Sequence, residues 1–355
     1  MVKKNSFAIF PILVYNSIIE KDRRESMDIR NTRELKNFAT QRLQGHPTAK
    51  QLAFLCAAVI IGTAFLNTGL NYLLNVQIEG TGGLSNIGKR SLLATFQTFF
   101  PYIRMALVMC VELGYTSAML RIARGQYTST NAFRLGFDRF WLALGTRIWE
   151  YLAYVGIMFI STFLGVQLFL LSPLSDSTVA LVEPYLADGM EALMQNEAVY
   201  AQFAQSLWPA LLFAIALYAL MAIPVVYQYR MVSFVIIDKP GIRPRAALRE
   251  STRMMRKHRF QLFRLDLSLW LFYLLKALAT VVCYGDSLLP LIGIQLPFSE
   301  TAGYFLFFAL YLVMEFVIFY FMQNHVTTTY ALAYDALRPK EEPTNSVVLG
   351  NIFQM

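Results

Sequence analysis

The chain has no Lys, Arg or His residue at positions 148 to 229, between Arg147 and Arg230. The next interval, residues 230–264, carries ten Lys or Arg residues. A soluble domain gains nothing from separating its cations in this way. In membrane proteins, basic loops stay on the cytoplasmic side during insertion. The pattern therefore argues against a soluble protein and predicts one that spans a membrane.

Charged residues and cysteines are also scarce. Only 15% of the residues are charged and 56% are hydrophobic, unlike a soluble domain. In a soluble protein, a net charge of +8 would favour binding to nucleic acid. Here the cations flank apolar runs, so membrane topology and anionic lipid explain them and no nucleic acid partner is expected. The cysteines Cys56, Cys110 and Cys283 all lie inside apolar runs, which argues against disulfides and metal sites.

Catalytic and cofactor fingerprints are absent from the sequence. It contains no H-E-x-x-H, G-x-S-x-G, P-loop or dinucleotide-binding pattern. His258, Asp266 and Ser268 are close in sequence, but the members of a catalytic triad must converge on one substrate atom. We expect Asp266 to lie near Arg264 or Arg259, and Ser268 to bond backward to a carbonyl. The sequence therefore predicts a protein that is not an enzyme and needs no cofactor.

Six apolar runs are long enough to cross a bilayer, whose core of about 30 Å needs roughly 20 residues of helix. They run from Gln51 to Val76, Pro101 to Leu120, Phe140 to Leu171, Leu207 to Tyr229, Leu267 to Tyr284, and from Tyr304 towards Leu337. Backbone groups in hydrocarbon must pair within their own segment, so each run is predicted to be helical. The predicted fold is an all-α transmembrane bundle of six spans over residues 51–337.

Basic residues are distributed unequally between the two sides of this arrangement. The tails and the segments after spans two and four carry 26 Lys or Arg residues. The segments on the other side carry two, Lys89 and Arg90. The positive-inside rule therefore predicts that both termini are cytoplasmic.

The remaining segments are predicted from composition. Residues 1–50 form a cytoplasmic tail with a short amphipathic helix, and residues 338–355 form a disordered cytoplasmic tail. The apolar run within residues 1–26 resembles a signal peptide but lacks a cleavage site. It is either an interfacial segment or the result of a mis-assigned start, and Met27 is favoured as the true start. Residues 172–206 carry five acidic residues and form either a partly helical external cap or a solvated loop.

The segment after span four contains a strong local pattern. Asp238-Lys239-Pro240-Gly241 predicts a turn, and Pro244 suits the first turn of a helix. Cations then recur at short intervals while apolar side chains gather on another face; the cations are Arg245, Arg249, Arg253, Arg256 and Lys257. The pattern predicts an amphipathic interfacial helix that binds lipid phosphates, unless these cations serve topology alone.

A weaker version of this pattern lies between spans two and three. Arg124-Gly125 followed by Ala132-Phe133-Arg134 matches Gly241 followed by Ala247-Leu248-Arg249. Both segments predict a short turn and then an amphipathic helix before the next span. A diverged repeat of a helical hairpin would explain the match.

Three stretches resemble one protein family. They are Ala247-Leu248-Arg249-Glu250-Ser251 with Met255, His258 and residues 262–268; Arg33-Glu34-Leu35-Lys36; and Arg121-Ile122-Ala123-Arg124-Gly125. Together they are similar to an uncharacterised bacterial family, domain of unknown function 975, over about residues 27–337. Lys257 departs from the usual glycine, and residues 172–206 are longer than expected. The resemblance implies a multi-pass protein of the bacterial plasma (inner) membrane, distantly similar to the membrane domain of glycerophosphodiester phosphodiesterases, without an established activity.

Three ionisable residues fall near the middle of predicted spans. Glu112, Lys276 and Glu315 lie about halfway along spans two, five and six. A charge at that depth costs about 2.5–3.5 kcal/mol on insertion scales, so each of these residues is expected to have either an ion-pair partner or a functional role. We expect Lys276 to pair with Glu112 or Glu315. The cluster serves either an ion or substrate path or the register of the helices.

Two functions follow from these patterns. The first is a non-enzymatic membrane protein whose basic helices and acidic outer segment interact with anionic phospholipid or with an envelope protein partner. The second is a small transporter or lipid-flux protein that uses the buried charges of spans two, five and six. A membrane hydrolase rests only on the distant phosphodiesterase resemblance and is the weakest hypothesis.

Overall fold

The computed structural model describes residues 29, 31–80, 87–185, 197–291, 297 and 299–338. Every regular element among these residues is a helix, and the described chain contains no strand. The predicted all-α class is therefore confirmed. The segment predicted to precede the true start, most of the C-terminal tail and residues 186–196 of the acidic segment lie outside the described residues.

The helices follow one another with short connections. They are α1 (Thr32–Gln44), α2 (Thr48–Gly80), α3 (Ile87–Ala123), α4 (Arg134–Asp138), α5 (Phe140–Leu170), α6 (Asp176–Val182), α7 (Glu197–Ser206), α8 (Trp208–Tyr229), α9 (Val232–Asp238), α10 (Pro244–Met255), α11 (Arg259–Ser268), α12 (Trp270–Cys283), α13 (Gly285–Leu291), α14 (Glu300–Ile318) and α15 (Asn324–Leu337). Single 3₁₀ turns occur at Thr130–Phe133, Pro173–Ser175 and Glu183–Tyr185, and a π-helical segment, Phe319–Gln323, joins α14 to α15.

Five stretches of the described chain are long and apolar enough to cross a membrane. They are Thr48–Gln77, Gly88–Ala123, Phe140–Leu170, Ala198–Asp238 and Thr301–Leu337. Helices α11 and α12 qualify together as a sixth span, although they bend by 71° at their junction. The predicted count of six agrees with this arrangement when the bent pair is one span.

Three predicted spans differ clearly from the structure. The fourth, predicted from Leu207 to Tyr229, lies within the longer apolar stretch Ala198–Asp238. The second span extends back to Ile87, because α3 continues through Pro101. Membrane helices tolerate an internal proline when neighbouring groups satisfy the backbone carbonyl that it leaves unpaired. The fifth predicted span is divided at Leu269, between α11 and α12. No proline marks this break, so the apolar run alone predicts a continuous helix there.

The chain divides into two compact units. The first unit combines both ends of the chain, Met1–Phe140 and Phe260–Met355. The second unit is the intervening segment Trp141–Arg259. The three predicted mid-membrane charges therefore belong to the first unit, and the predicted basic helix belongs to the second.

The first unit is centred on α2 and α3, which run antiparallel. Their contact consists of small and medium-sized side chains: Ala49, Leu52, Ala53, Cys56 and Ala57 of α2 with Val111, Tyr115, Ala118, Met119 and Ile122 of α3. Helix α15 packs on α1 and α3, and all of its residues from Val326 to Tyr334 are buried. Lipid is as apolar as these side chains, so close packing stabilises these contacts more than hydrophobic burial does.

Helix α1 lies where the sequence predicts a short amphipathic helix. Asn31 caps it: the Asn31 side-chain oxygen accepts from the Glu34 N–H at 3.2 Å, and Asn31 Nδ2 donates to the Glu34 carboxylate at 3.0 Å. Leu35, Phe38 and Ala39 form its buried face. This face packs on the first unit, mainly on α15.

Between α3 and α5, a short helix lies where the sequence predicts an amphipathic one. Helix α4 lies against α3. A Cβ at Gly114 would lie 2.6 Å from Phe133 Cα, and a Cβ at Gly136 would overlap the Cys110 carbonyl oxygen. Only glycine at these two positions allows the backbones to approach so closely.

The second unit depends on a similar contact between α5 and α8. A Cβ at Gly165 would lie 2.7 Å from Ala214 Cα. Beyond α5, the described parts of the acidic segment are helical. Thr178 Oγ1 of α6 donates to the Ser206 carbonyl at the end of α7, at 3.3 Å.

We expect Gly136→Ala to destabilise the first unit, because the added methyl group meets a backbone carbonyl that moves only if α3 shifts. Overpacking of this kind costs about 1–3 kcal/mol. The midpoint of thermal unfolding of the detergent-purified protein measures the effect. Gly62→Ala is the matched control, since a Cβ at Gly62 of α2 meets nothing within 4 Å. Equal midpoints for Gly136→Ala and wild type would contradict the close contact.

Candidate functional site

The predicted basic helix, α10, begins after a tight turn. Gly241 has a φ of +85°, which favours glycine, and Pro244 lies in the first helical turn. The turn reverses the chain, so that α10 packs back on α8 and α9.

Helix α10 has one buried and one exposed face. Its buried residues are Ala247, Leu248, Ser251 and Met255. The predicted cations are all exposed: Arg245, Arg249, Arg253, Arg256 and Lys257. Arg245, Arg249 and Arg253 are four residues apart and share one face of α10, and Arg256 and Lys257 follow in the turn after Met255. These five cations are called the basic stripe. Because α8 and α9 cover the apolar face, the basic stripe is the side that α10 presents outward.

Side-chain contacts hold α10 in this orientation. Ser251 Oγ donates to the Gln228 carbonyl of α8 at 2.7 Å. The Arg245 guanidinium carbon lies 3.6 Å from the centre of the Trp149 ring, in a cation–π contact. The first contact fixes the buried face of α10, and the second fixes the start of the basic stripe.

The basic stripe has little compensating negative charge. Glu250 is the one acidic residue of α10, and Lys239 Nζ lies 2.6 Å from its Oε1. Arg249, Arg253 and Arg256 form no ion pair with any described residue. Several exposed cations on one face of a helix attract the phosphates of anionic lipids.

The structure brings together two of the three predicted mid-membrane charges. Lys276 Nζ donates to Glu315 Oε2 and so links α12 to α14. Their side chains are only 30% and 17% exposed. Glu112 lies on α3 with an exposed side chain. The pair compensates two charges at a depth where either alone would be costly, and it fixes the register of α12 against α14.

Ser268, of the predicted motif, lies at the break between α11 and α12. Ser268 Oγ donates backward to the Leu265 carbonyl at 2.7 Å, as predicted. Lys36 Nζ donates to the Ser268 carbonyl at 3.0 Å. An ammonium group at the C-terminal end of a helix interacts favourably with the helix dipole. Lys36 of α1 therefore stabilises the end of α11 where the span bends.

Asp266 and His258, the other two motif residues, lie in different units. Asp266 accepts a hydrogen bond from Tyr273 Oη at 3.0 Å, and the Tyr273 and Tyr330 hydroxyls are 2.9 Å apart. These contacts connect α11, α12 and α15. His258 follows α10 in the second unit, where its N–H donates to the Met255 carbonyl at 3.1 Å. The observed contacts of Asp266 are thus structural links between helices.

Sequence reasoning missed an ion pair in the first unit. Arg124 Nη2 lies 2.6 Å from Asp335 Oδ1, and each side chain is 20% exposed. The Arg124 Nε also donates to this carboxylate. Arg124 contributes to the predicted topology only as a loop cation, and Asp335 lies 211 residues further along the chain. No local sequence signal connects the two residues.

Arg124→Gln should lower the stability of the protein by about 1–3 kcal/mol, because it leaves a mostly buried Asp335 without its guanidinium. Thermal unfolding in detergent measures this loss. Arg134→Gln is the control, since Arg134 and Asp138 are 3.8 Å apart and 83% and 62% exposed. The swapped variant Arg124→Asp with Asp335→Arg should recover part of the loss. Equal effects of Arg124→Gln and Arg134→Gln would count against the pair.

A comparison with protein families gives a match over most of the chain. The family described as Protein of unknown function (DUF975) matches residues 27–341. No curated protein and no solved structure matches the sequence. The similarity to the membrane domain of glycerophosphodiester phosphodiesterases stays a prediction. Since the match includes all the spans and α10, the chain belongs to the DUF975 family of proteins of unknown function.

Proposed function

We propose that this protein is a non-enzymatic integral membrane protein that binds the head groups of anionic phospholipids through the basic stripe of α10. The proposal rests on the burial of one face of α10 and the exposure of the other. Its apolar face is covered by α8 and α9, and its cations face outward. A helix whose cations served insertion alone would need no such fixed presentation.

The proposed location is the cytoplasmic face of a bacterial plasma membrane, with both termini on that side. The excess of 26 cations over two supports this orientation. Two tryptophans of the second unit mark a membrane–water interface without indicating its side: Trp141 is 79% exposed and Trp149 is 38% exposed, and both lie in the first half of α5. Tryptophan favours the membrane–water interface. Trp149 contacts Arg245, so the basic stripe begins at interfacial depth.

The expected binding energy is modest and depends on salt. Each cation near an anionic membrane contributes about 1 kcal/mol, and the attraction decays over about 8 Å at physiological ionic strength. Three arginines that face the same way therefore contribute about 3 kcal/mol, which corresponds to roughly a hundredfold in affinity.

Replacement of Arg249, Arg253 and Arg256 by Gln should weaken the binding of phosphatidylglycerol about 10- to 100-fold. All three side chains are exposed, so the fold should remain intact. Native mass spectrometry of the full chain in mild detergent, titrated with this lipid at two salt concentrations, measures both the affinity and its salt dependence.

The matched control replaces Arg33, Lys50 and Arg121 by Gln. These cations are also exposed and lie on the same predicted side of the membrane, but they belong to the first unit. Their loss should leave lipid binding nearly unchanged. An equal loss in both triple variants would mean that net charge, and not the basic stripe, attracts the lipid. An acidic envelope protein that co-purifies in place of lipid would favour the protein-partner form of the hypothesis.

The alternative function is a small transporter or lipid-flux protein. The pair Lys276–Glu315 favours it, because paired charges within a membrane often mark a substrate or ion path. The same pair also serves helix register, which is sufficient for a lipid-binding protein.

Replacement of both Lys276 and Glu315 by Met should preserve the fold and lipid binding at α10, since two well-packed apolar side chains replace a buried ion pair at little cost. Glu315→Gln alone should destabilise the protein, because Lys276 then lacks its carboxylate. Thermal unfolding and lipid titration measure both effects. A stable double-Met protein that loses lipid or solute flux in liposomes, where wild type shows flux, would favour the transporter.

A further inference from the structure

The first unit contains polar groups that its own residues do not satisfy. Gln97 Nε2 of α3 donates to Asn75 Oδ1 of α2 at 2.8 Å, which fixes the register of these helices. Asn71 and Asn67 lie one and two turns from Asn75 on the same face of α2. Their side-chain oxygens are buried, yet neither accepts a hydrogen bond from any described residue.

Arg104 occupies the matching position on α3. It lies seven residues from Gln97, two turns along the same face. Two turns from the Gln97–Asn75 contact on each helix place Arg104 level with Asn67. Arg104 Nε is buried and has no hydrogen-bond partner in the described part of the chain. The register of α2 and α3 therefore places the Arg104 Nε beside two amide oxygens, and none of these three atoms has a hydrogen-bond partner among the described residues.

The nearest acidic residue of α14 is already engaged. Arg104 interacts electrostatically with Tyr311, and Glu315 follows Tyr311 by one turn. Lys276 is bound to Glu315, so the carboxylate nearest to Tyr311 along α14 already has a cationic partner other than Arg104. A buried guanidinium nitrogen and amide oxygens without hydrogen-bond partners are costly in an apolar environment. A ligand with both an anionic oxygen and a hydrogen-bond donor would satisfy all of them.

We infer that α2 and α3 bind a glycerophospholipid head group, with its phosphate on Arg104 and its ammonium or hydroxyl on Asn67 and Asn71. Guanidinium binds phosphate through paired N–H donors. The side-chain oxygens of asparagine accept from the ammonium of ethanolamine or the hydroxyls of glycerol. Choline carries no N–H or O–H donor, so the site discriminates against phosphatidylcholine.

The depth of these residues suits a head group. The span that contains Arg104 ends at Ala123, nineteen residues further along α3. At about 1.5 Å per residue this is about 28 Å, close to the thickness of a bilayer core of about 30 Å. Arg104 is therefore near the boundary where lipid phosphates lie. In the proposed topology this is the outer boundary. The inference goes beyond the proposed function, since no residue of α10 takes part.

The test is a lipid titration of the delipidated full chain in dodecyl maltoside, followed by native mass spectrometry. The probes are dioleoyl phosphatidylethanolamine, phosphatidylglycerol and phosphatidylcholine. Wild type should bind the first two about tenfold more tightly than the third, because only they donate to the asparagine oxygens. Arg104→Gln should weaken the binding of all three lipids about tenfold.

Asn67→Leu combined with Asn71→Leu separates the two parts of the site. This variant should lose the preference for donor-bearing head groups and keep the wild-type affinity for phosphatidylcholine. The fold should be retained, since neither side-chain oxygen accepts a hydrogen bond from the described residues; thermal unfolding checks this. Arg90→Gln is the control for charge on α3, because Arg90 is exposed and lies outside the cluster.

The results of these lipid titrations can be distinguished from the results that test the basic stripe of α10. The variant with Arg249, Arg253 and Arg256 replaced by Gln should keep the head-group preference even where its affinity for phosphatidylglycerol falls. Two results overturn the inference. One is equal binding of the three lipids by wild type, which would mean that water satisfies Asn67 and Asn71. The other is unchanged binding by Arg104→Gln.

Discussion

Inside hydrocarbon a polar group has no water with which to pair, and this constraint governs the chain. Backbone groups meet it by forming helices, which is why each long apolar run is helical. Polar side chains meet it through pairs between helices, as Lys276 of α12 does with Glu315 of α14. The apolar side chains gain little by leaving lipid, so these pairs and close backbone contacts select the packing of the first unit.

The two units place their charges differently. The first unit uses charges between helices, where they connect α12 to α14 and α3 to α15. The second unit packs α5 and α8 through Gly165 and Ala214, and it exposes the cations of α10 on its surface. In the proposed function, this division separates stability from lipid recognition. The basic stripe of α10 can be altered without loss of an internal ion pair, whereas the pairs Lys276–Glu315 and Arg124–Asp335 are part of the packing of the first unit.

The helical class, the number of spans and the turn before α10 could be predicted because each depends on local composition. Gly241 and Pro244, for example, specify their own backbone geometry. The break at Leu269 could not be predicted, since a contributing contact comes from Lys36, 232 residues away from Ser268. The choice of partner for Lys276 was likewise open, because both candidate glutamates lie at similar depth and only helix packing decides between them. Interactions between distant helices leave no periodicity in the sequence.

The interior position of α15 means that the order of synthesis differs from the order of assembly. Helices α1 and α3 leave the ribosome early, yet both pack on α15, which emerges after all the other described helices. Until then Arg124 lacks Asp335, and the whole of Trp141–Arg259 is synthesised in the meantime. The first unit therefore remains incomplete in the bilayer until α15 has been synthesised. During that time it is exposed to quality-control proteases and depends on the insertion machinery.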